Sequence, residues 1–329
     1  MEFPMQQPGD GCREEGSTCD DGDRRVALET NNTSSSQMAT SKEAMTAQQT
    51  LSSFQEEEMP EQVKSIQSAI EEKIEKINFQ LTQLKDALKE NQPYAELERC
   101  KSSIKALEHH LDEQWRYLRE FNISCSSINV AIELLQVKGV SDLSEVQKIR
   151  HHFARECRRA ESPLPVYSYR SDIQEMIRDN TAVVLQGETG SGKSTQIPQY
   201  IVDMELQGQH NDDGITDGGQ RWRVVCTQPR RVAALTLARR VAEEYGCQVG
   251  EEVGFLVGTK KFVSAKTVVT FMTDRKLLNL CIADPDLSEY TCVIVDEAHE
   301  RSVDTDILLA TLKKLLKKRQ DSPFIKMYT

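Results

Sequence analysis

Two short stretches hold residue types that together could bind and cleave a phosphate anhydride. The first is GETGSGKSTQ, residues 187–196, which follows the apolar run AVVLQ. Its spacing, Gly187-x4-Gly192-Lys193-Ser194, is that of a phosphate-binding loop between a strand and a helix. Gly187, Gly190 and Gly192 have no Cβ, so the turn can take positive φ and aim its N–H groups at phosphate oxygens. The ligand cradle expected is Gly187, Glu188, Thr189, Gly190, Ser191, Gly192, Lys193, Ser194 and Thr195. A helix beginning at Lys193 adds its positive N-terminal end. Lys193 can reach β and γ phosphates, and Ser194 can give its hydroxyl to Mg²⁺, so the expected ligand is Mg²⁺–ATP.

The second stretch is VIVDEAHERS at 293–302. Alone, its acidic residues could be a helix cap and a solvated cluster. At the end of an apolar strand, about a hundred residues after a phosphate loop, they are far more specific. Asp296 suits a hold on Mg²⁺ through the water bound to it, and Glu297 the positioning and deprotonation of an attacking water. His299 could link the site to a neighbouring domain by hydrogen bonding.

Such groups need a scaffold, and the sequence supplies an alternating one after Ser162-Pro163. TAVVLQ, WRVVCTQ, EEVGFLV, TVVTFMT and CVIVDEA read as strands. KSTQIPQYIVDMEL, RVAALTLARRVAEEYG, DRKLLNLCI and VDTDILLATLKKLLKK read as helices, the second closed by glycine. LQGQHNDDGITDGGQ at 206–220 reads as a polar loop. Apolar strands alternating with amphipathic helices predict an α/β fold with a mostly parallel sheet covered on both faces. Ligands of such sheets sit at the carboxyl ends of the strands.

The chain upstream reads differently. Residues 1–60 are rich in Gly, Ser, Thr, Gln and Glu and read as a disordered tail. In 61–121, Val63, Ile66, Ile70, Ile74, Ile77, Leu81, Leu84 and Leu88 recur at near-heptad spacing. NQP at 91–93 interrupts the stripe, and a second follows through Leu97, Cys100, Ile104, Leu107 and Leu111, then Trp115 and Leu118. The pair reads as a helical hairpin or broken coiled coil, open to self-association or a protein partner, or as amphipathic helices packed on the downstream domain. Residues 122–162 read as a helical linker region, one helix over 127–137 and another from Ser141-Asp142 through HHFARECRRA. His109-His110 and His151-His152 read as solvated helix-surface pairs, since neighbours on a helix point about 100° apart.

Net charge is −11, but 1–162 holds 20 Lys and Arg against 29 Asp and Glu, whereas 163–329 holds 21 against 23. The acidity therefore does not argue against an anionic ligand in the second half. Nine cysteines, with no CxxC pair, argue against zinc and against a secreted disulfide framework. No apolar run approaches 18 residues, which argues against a membrane span, and the N-terminus lacks a signal peptide's apolar region. Cytoplasm or nucleus is the compartment expected.

GETGSGKSTQ, TQPRRVAA at 227–234, MTD at 272–274 and VDEAHERS together, in this order and spacing, resemble the first RecA-like domain of a DEAH-box ATP-dependent RNA helicase. The resemblance covers about 163–320, with the domain assigned to 163–329. It implies that Arg230, Arg231, Thr273 and Asp274 touch an RNA backbone without sequence preference, and that Arg240 stacks on adenine. Arg275, where many members have glycine, and LVGTKKF at 256–262 depart from the usual pattern. With LPVYSYR at 164–170 they lean towards members that also carry a C-terminal RING-type ubiquitin-ligase module. The family's Ser-Ala-Thr strand should begin near 323, where this chain reads SPFIKMYT. The expectation is thus ATP binding, slow hydrolysis and no unwinding by this chain alone. The alternative is a non-motor, ATP-binding coiled-coil interaction protein acting as a truncated regulator.

Overall fold

The structure is a computed structural model that describes residues 30–88, 94–140, 142–207 and 223–318. Helix α1 (Thr30–Ser53) passes through a π-helical turn (Phe54–Glu58) into α2 (Met59–Ala87). Part of the segment expected as a tail is therefore helical. Ala47, Leu51 and Phe54 are buried in one cluster with residues of α2. Their spacing makes a short apolar stripe that the average composition of 1–60 conceals. Residues 1–29 lie outside the described residues.

The near-heptad stripe of α2 is used inside the chain. Ile66, Ile70, Ile74, Ile77 and Leu81 are buried, packed against α3 (Tyr94–Lys138). The two helices run antiparallel: Gln67 donates to Asn122 at 2.8 Å, and Lys85 pairs with Glu108 at 2.8 Å. The interrupting NQP lies outside the described residues. Beyond 121 the expectation differs from the structure, because α3 continues unbroken to Lys138. Phe121, Cys125, Ile128 and Ile132 carry its buried stripe on, with no proline or glycine to stop it. The hydroxyls of Ser124 and Ser127 bond back to the carbonyls of Glu120 and Ile123 and leave the helix intact.

Helix α4 (Leu143–Glu161) starts where Asp142 accepts the Ser144 N–H at 2.8 Å. It closes the helical layer, with Phe153 edge-on to Phe54 at 5.5 Å between ring centroids. One histidine expected on the surface is not there. His152 is 4% exposed and its Nδ1 lies 3.3 Å from Asp203. It shares the buried face of α4 with Ile149, Phe153 and Glu156. His109, His110 and His151 are exposed.

A five-stranded sheet follows, in the order β3-β2-β4-β1-β5. Its strands are β1 (Val224–Gln228), β2 (Val253–Val257), β3 (Lys260–Phe262), β4 (Val269–Thr273) and β5 (Cys292–Val295). All pairings are parallel except β2 with β3. That tight hairpin was not expected. Gly254 permits it, since a Cβ there would stand 2.2 Å from the Phe262 carbonyl oxygen. Helices α5 (Arg170–Asp179), α6 (Lys193–Gln207) and α7 (Arg231–Tyr245) cover one face. Helices α8 (Asp274–Ala283) and α9 (Val303–Lys318) cover the other through Leu277, Cys281, Leu308, Leu312 and Leu315. The polar loop over 208–222 lies outside the described residues.

TAVVLQ, expected as the strand entering the glycine loop, belongs to none of the five strands. It keeps a strand's alternation, Val183 buried and Val184 76% exposed. Strand character in the residues is not enough, because a ladder needs a neighbour with free N–H and C=O groups. β5 is the last strand on its side among the described residues, and the residues near 323 lie outside them.

Candidate functional site

The glycine loop is built around two left-handed positions, Gly190 at φ +84° and Gly192 at φ +94°. At Gly192 a side chain is excluded twice, because a Cβ would also meet the Leu164 Cδ1 at 2.7 Å. Leu164 and the short 3-10 turn Pro165–Tyr169 brace the loop from behind, with Val166 N–H donating to the Ser191 carbonyl at 3.0 Å. Lys193 opens α6 and folds back over the loop. Its ammonium donates to the carbonyls of Gly187 at 2.6 Å and Glu188 at 2.9 Å. Ser194 and Thr195 follow in the first turn of α6, half-buried, and the Thr195 hydroxyl donates to the Gly192 carbonyl at 3.3 Å. Thr189 and Gly190 form the exposed tip.

Parallel pairing brings the second motif to the carboxyl end of β1. Thr227 of β1 lies opposite Val295 of β5, and the next residue, Asp296, donates its N–H to the Thr227 carbonyl at 3.2 Å. The Asp296 carboxylate is buried, and both of its oxygens are held. One accepts from the side-chain amide of Gln228, the other from the Glu297 N–H at 3.0 Å. Glu297 itself is in the left-handed region, φ +54°, as is Arg301 at +52°. Such non-glycine conformations cost about 1–2 kcal/mol each. Here they turn the chain sharply, so that the Glu297 carboxylate emerges partly exposed. His299 is exposed and lies 3.3 Å from the Glu297 carboxylate.

Arg240 is on the exposed face of α7, where its Nε donates to Glu244 at 2.7 Å. It lines a cavity of about 240 Å³ together with Leu164, Tyr167, Gln196, Tyr200 and residues of α4. Arg239 is also exposed.

Of the four residues expected at a nucleic acid, two are on the surface and two are not. Arg230 is exposed and pairs with Glu300 at 3.1 Å, and Arg231 is exposed at the first turn of α7. Thr273 caps α8, accepting the Lys276 N–H at 3.4 Å. Asp274 is 2% exposed and accepts the Thr305 hydroxyl.

Sequence reasoning missed Gln228, Glu244 and the arginines of α4. Gln228 had a usable signal, the last residue of a strand at the ligand end. Arg155, Arg159 and Arg170 close around His152, Glu156 and Asp203. Those last three bring possible ligand atoms within 4.8 Å of one another, but the guanidiniums already neutralise the carboxylates, which argues against a cation there. Among the described residues no helix is long and apolar enough to cross a membrane.

Residues 169–327 match the family model described as DEAD/DEAH box helicase. The match takes in the glycine loop, all five strands and the Asp296 turn, and it supports a helicase family for this part of the chain. Helicase domains of this kind bind nucleic acid and use ATP, typically with Mg²⁺.

Proposed function

We propose that residues 163–329 are the ATP-binding motor domain of a DEAH-box RNA helicase, which hydrolyses Mg²⁺–ATP to remodel RNA. The observation that carries this reading is Asp296. It is a buried carboxylate, held through both oxygens, at the carboxyl end of β5 in a parallel sheet whose neighbouring α6 begins with the glycine loop. Burying a carboxylate is costly unless its partners are fixed, so a fixed one at the ligand end suits a metal task.

The chain's own residues divide the work. The loop N–H groups and Lys193 take the phosphates, Lys193 exchanging its two carbonyl partners for phosphate oxygens. Ser194 and Asp296 offer hard oxygen donors that fit Mg²⁺, which when bound offsets the charge of the β and γ phosphates. Glu297, partly exposed beside Asp296, orients a water and takes its proton. His299 steers the Glu297 carboxylate. Arg240 lies flat against a base, which any purine would accept.

RNA is the nucleic acid because the DEAH motif, Arg230-Arg231 and the MTD segment occur together. Arg230 and Arg231 meet the backbone phosphates. Thr273 and Asp274, capping α8 and bonding Thr305 of α9, set that surface from beneath rather than touch it.

The test is ATP turnover by the purified chain with single-stranded RNA or DNA of the same sequence. RNA should raise phosphate release above the DNA level, and Glu297→Gln should remove it. Equal stimulation by both would reject RNA as the ligand. Binding without any turnover, under either nucleic acid, would favour the non-motor reading.

A further inference from the structure

Three arginines of α4 converge on the last turn of α7. Arg158 donates to the backbone carbonyl of Glu244 at 3.1 Å, a cation at a helix C-terminus, where it is favoured. Arg155 lies over the Tyr245 ring, 4.0 Å from its centroid. Arg159 acts through two amides of α6, donating to the side-chain oxygens of Gln196 at 3.1 Å and Gln199 at 2.9 Å. A guanidinium can only donate, so each amide must turn its oxygen to Arg159 and its NH₂ away. Both NH₂ groups then donate to one oxygen of Glu244 at 2.8 Å. The other oxygen of Glu244 accepts from Arg240 at 2.7 Å.

The polarity of this chain of bonds is set at one end. Arg159 is itself clamped by Glu156 and by Asp203, the latter at 2.8 Å, and is buried with them. Glu244 is half-buried and Arg240 is exposed. The rigid end is thus in the helical region, and the free end is the guanidinium assigned to the base. The chain leaving α4 passes through Ser162 and Pro163 to Leu164, which packs behind Gly192.

We propose that α4 is the fixed wall of the nucleobase pocket, with Arg159 a positioning residue that sets Glu244 through Gln196 and Gln199, and Glu244 in turn setting Arg240. This deepens the reading of residues 163–329 as an ATP site and rests on it. The upstream helical region is then part of the nucleotide site, and anything that shifts α4 changes affinity for the base-bearing nucleotide more than for its phosphates.

The test compares two Mg²⁺-bound probes, ATP and inorganic tripolyphosphate, competing with a fluorescent ATP analogue for the full chain. Lys193→Ala should weaken both probes, and Arg240→Ala should weaken ATP alone. Those two variants examine the underlying reading. Glu244→Gln and Arg159→Gln should each weaken ATP about five- to tenfold, the worth of a charge-assisted hydrogen bond, and leave tripolyphosphate unchanged. Should Arg159→Gln not fold, Glu244→Gln decides alone. If Arg240→Ala lowers ATP affinity but neither of these does, the positioning role is wrong and the ATP reading stands. If they weaken both probes alike, their role is only to support the loop, and the proposal also fails. If Arg240→Ala has no effect, the base contact falls, and this inference with it.

Discussion

The Lys193 ammonium lies 2.6 Å from the carbonyl oxygen of Gly187, six residues back on the same loop. An ammonium with carbonyl partners is stabilised where phosphate oxygens would otherwise stand. It can give up those neutral acceptors for charged ones, which are the stronger. Lys193→Ala should therefore reduce ATP affinity on the order of a hundredfold, read by titration with a fluorescent analogue. An unchanged affinity would remove the phosphate role.

Gly192 carries the loop's tightest constraint. Gly192→Ala must place a methyl group at φ +94° and 2.7 Å from Leu164. The backbone strain alone costs about 1–2 kcal/mol. Thermal unfolding should show the loss, and ATP binding should fall with it. Gly190→Ala, at φ +84° with nothing within 4 Å of its Cβ, should cost only the strain. Equal effects of the two would argue against the packing of Leu164 on the loop.

Glu297→Gln keeps the shape of the turn but removes the carboxylate proposed as the base. ATP binding should be unchanged while turnover drops by about 10² to 10⁴. A variant that lost binding as well would place Glu297 among the ligands of Mg²⁺.

Arg230→Ala and Arg231→Ala should weaken RNA binding similarly across sequences. Each should lower the slope of log affinity against log salt by about one. Filter binding over a salt series reads both. The Arg230 effect should be partly masked, since Glu300 competes for its guanidinium.

The Glu156–Asp203 cluster predicts an acid response. Burial pushes the Glu156 carboxyl up, but Arg170 and Arg159 together outweigh it and hold it down at about 2. Asp203 is likewise held well below the carboxylate range, its burial outweighed by Arg159, His152 and Arg155. A carboxyl depressed by folding stabilises the native state above its unfolded pKa of about 4. That stabilisation is lost as pH falls through the folded value. The stability that Glu156 lends to the packing of α4 should thus fall below about pH 4 and be largely gone near pH 2, and that from Asp203 should fall over the same acid range. Near-ultraviolet circular dichroism, which sees Tyr200 and Tyr245, should report it. A flat signal down to pH 2 would contradict the clamp.

Much of this protein could be read from spacing alone. A glycine loop needs positive φ at set offsets, and Gly190 and Gly192 occur at those offsets. The helices ending at Gly246 and beginning at Thr273 follow from local chemistry, a left-handed stop and a hydroxyl cap. Strand β5 and its acidic turn were legible because an apolar run and the residues after it are contiguous in the chain. Several expectations that differed from the structure were those needing a partner. TAVVLQ has strand character and no ladder. Residues 30–60 have a polar average and yet bury Leu51 and Phe54 against α2 and α4. His152 looks like its neighbour His151 until α4 packs on Asp203, 51 positions further along.

The sequence by itself determined which residue types stand in the glycine loop and the Asp296 turn, those proposed to meet phosphate, metal and water, and that the sheet is mostly parallel. Only the tertiary structure decided what aims them. Gln228 meets Asp296 because β1 and β5 are in register, and Arg159 meets Glu244 through two amides of a third element. Such contacts join residues 37 to 68 positions apart. No periodicity records them, because they arise from how helices and strands stack and not from the order of residues within any one of them.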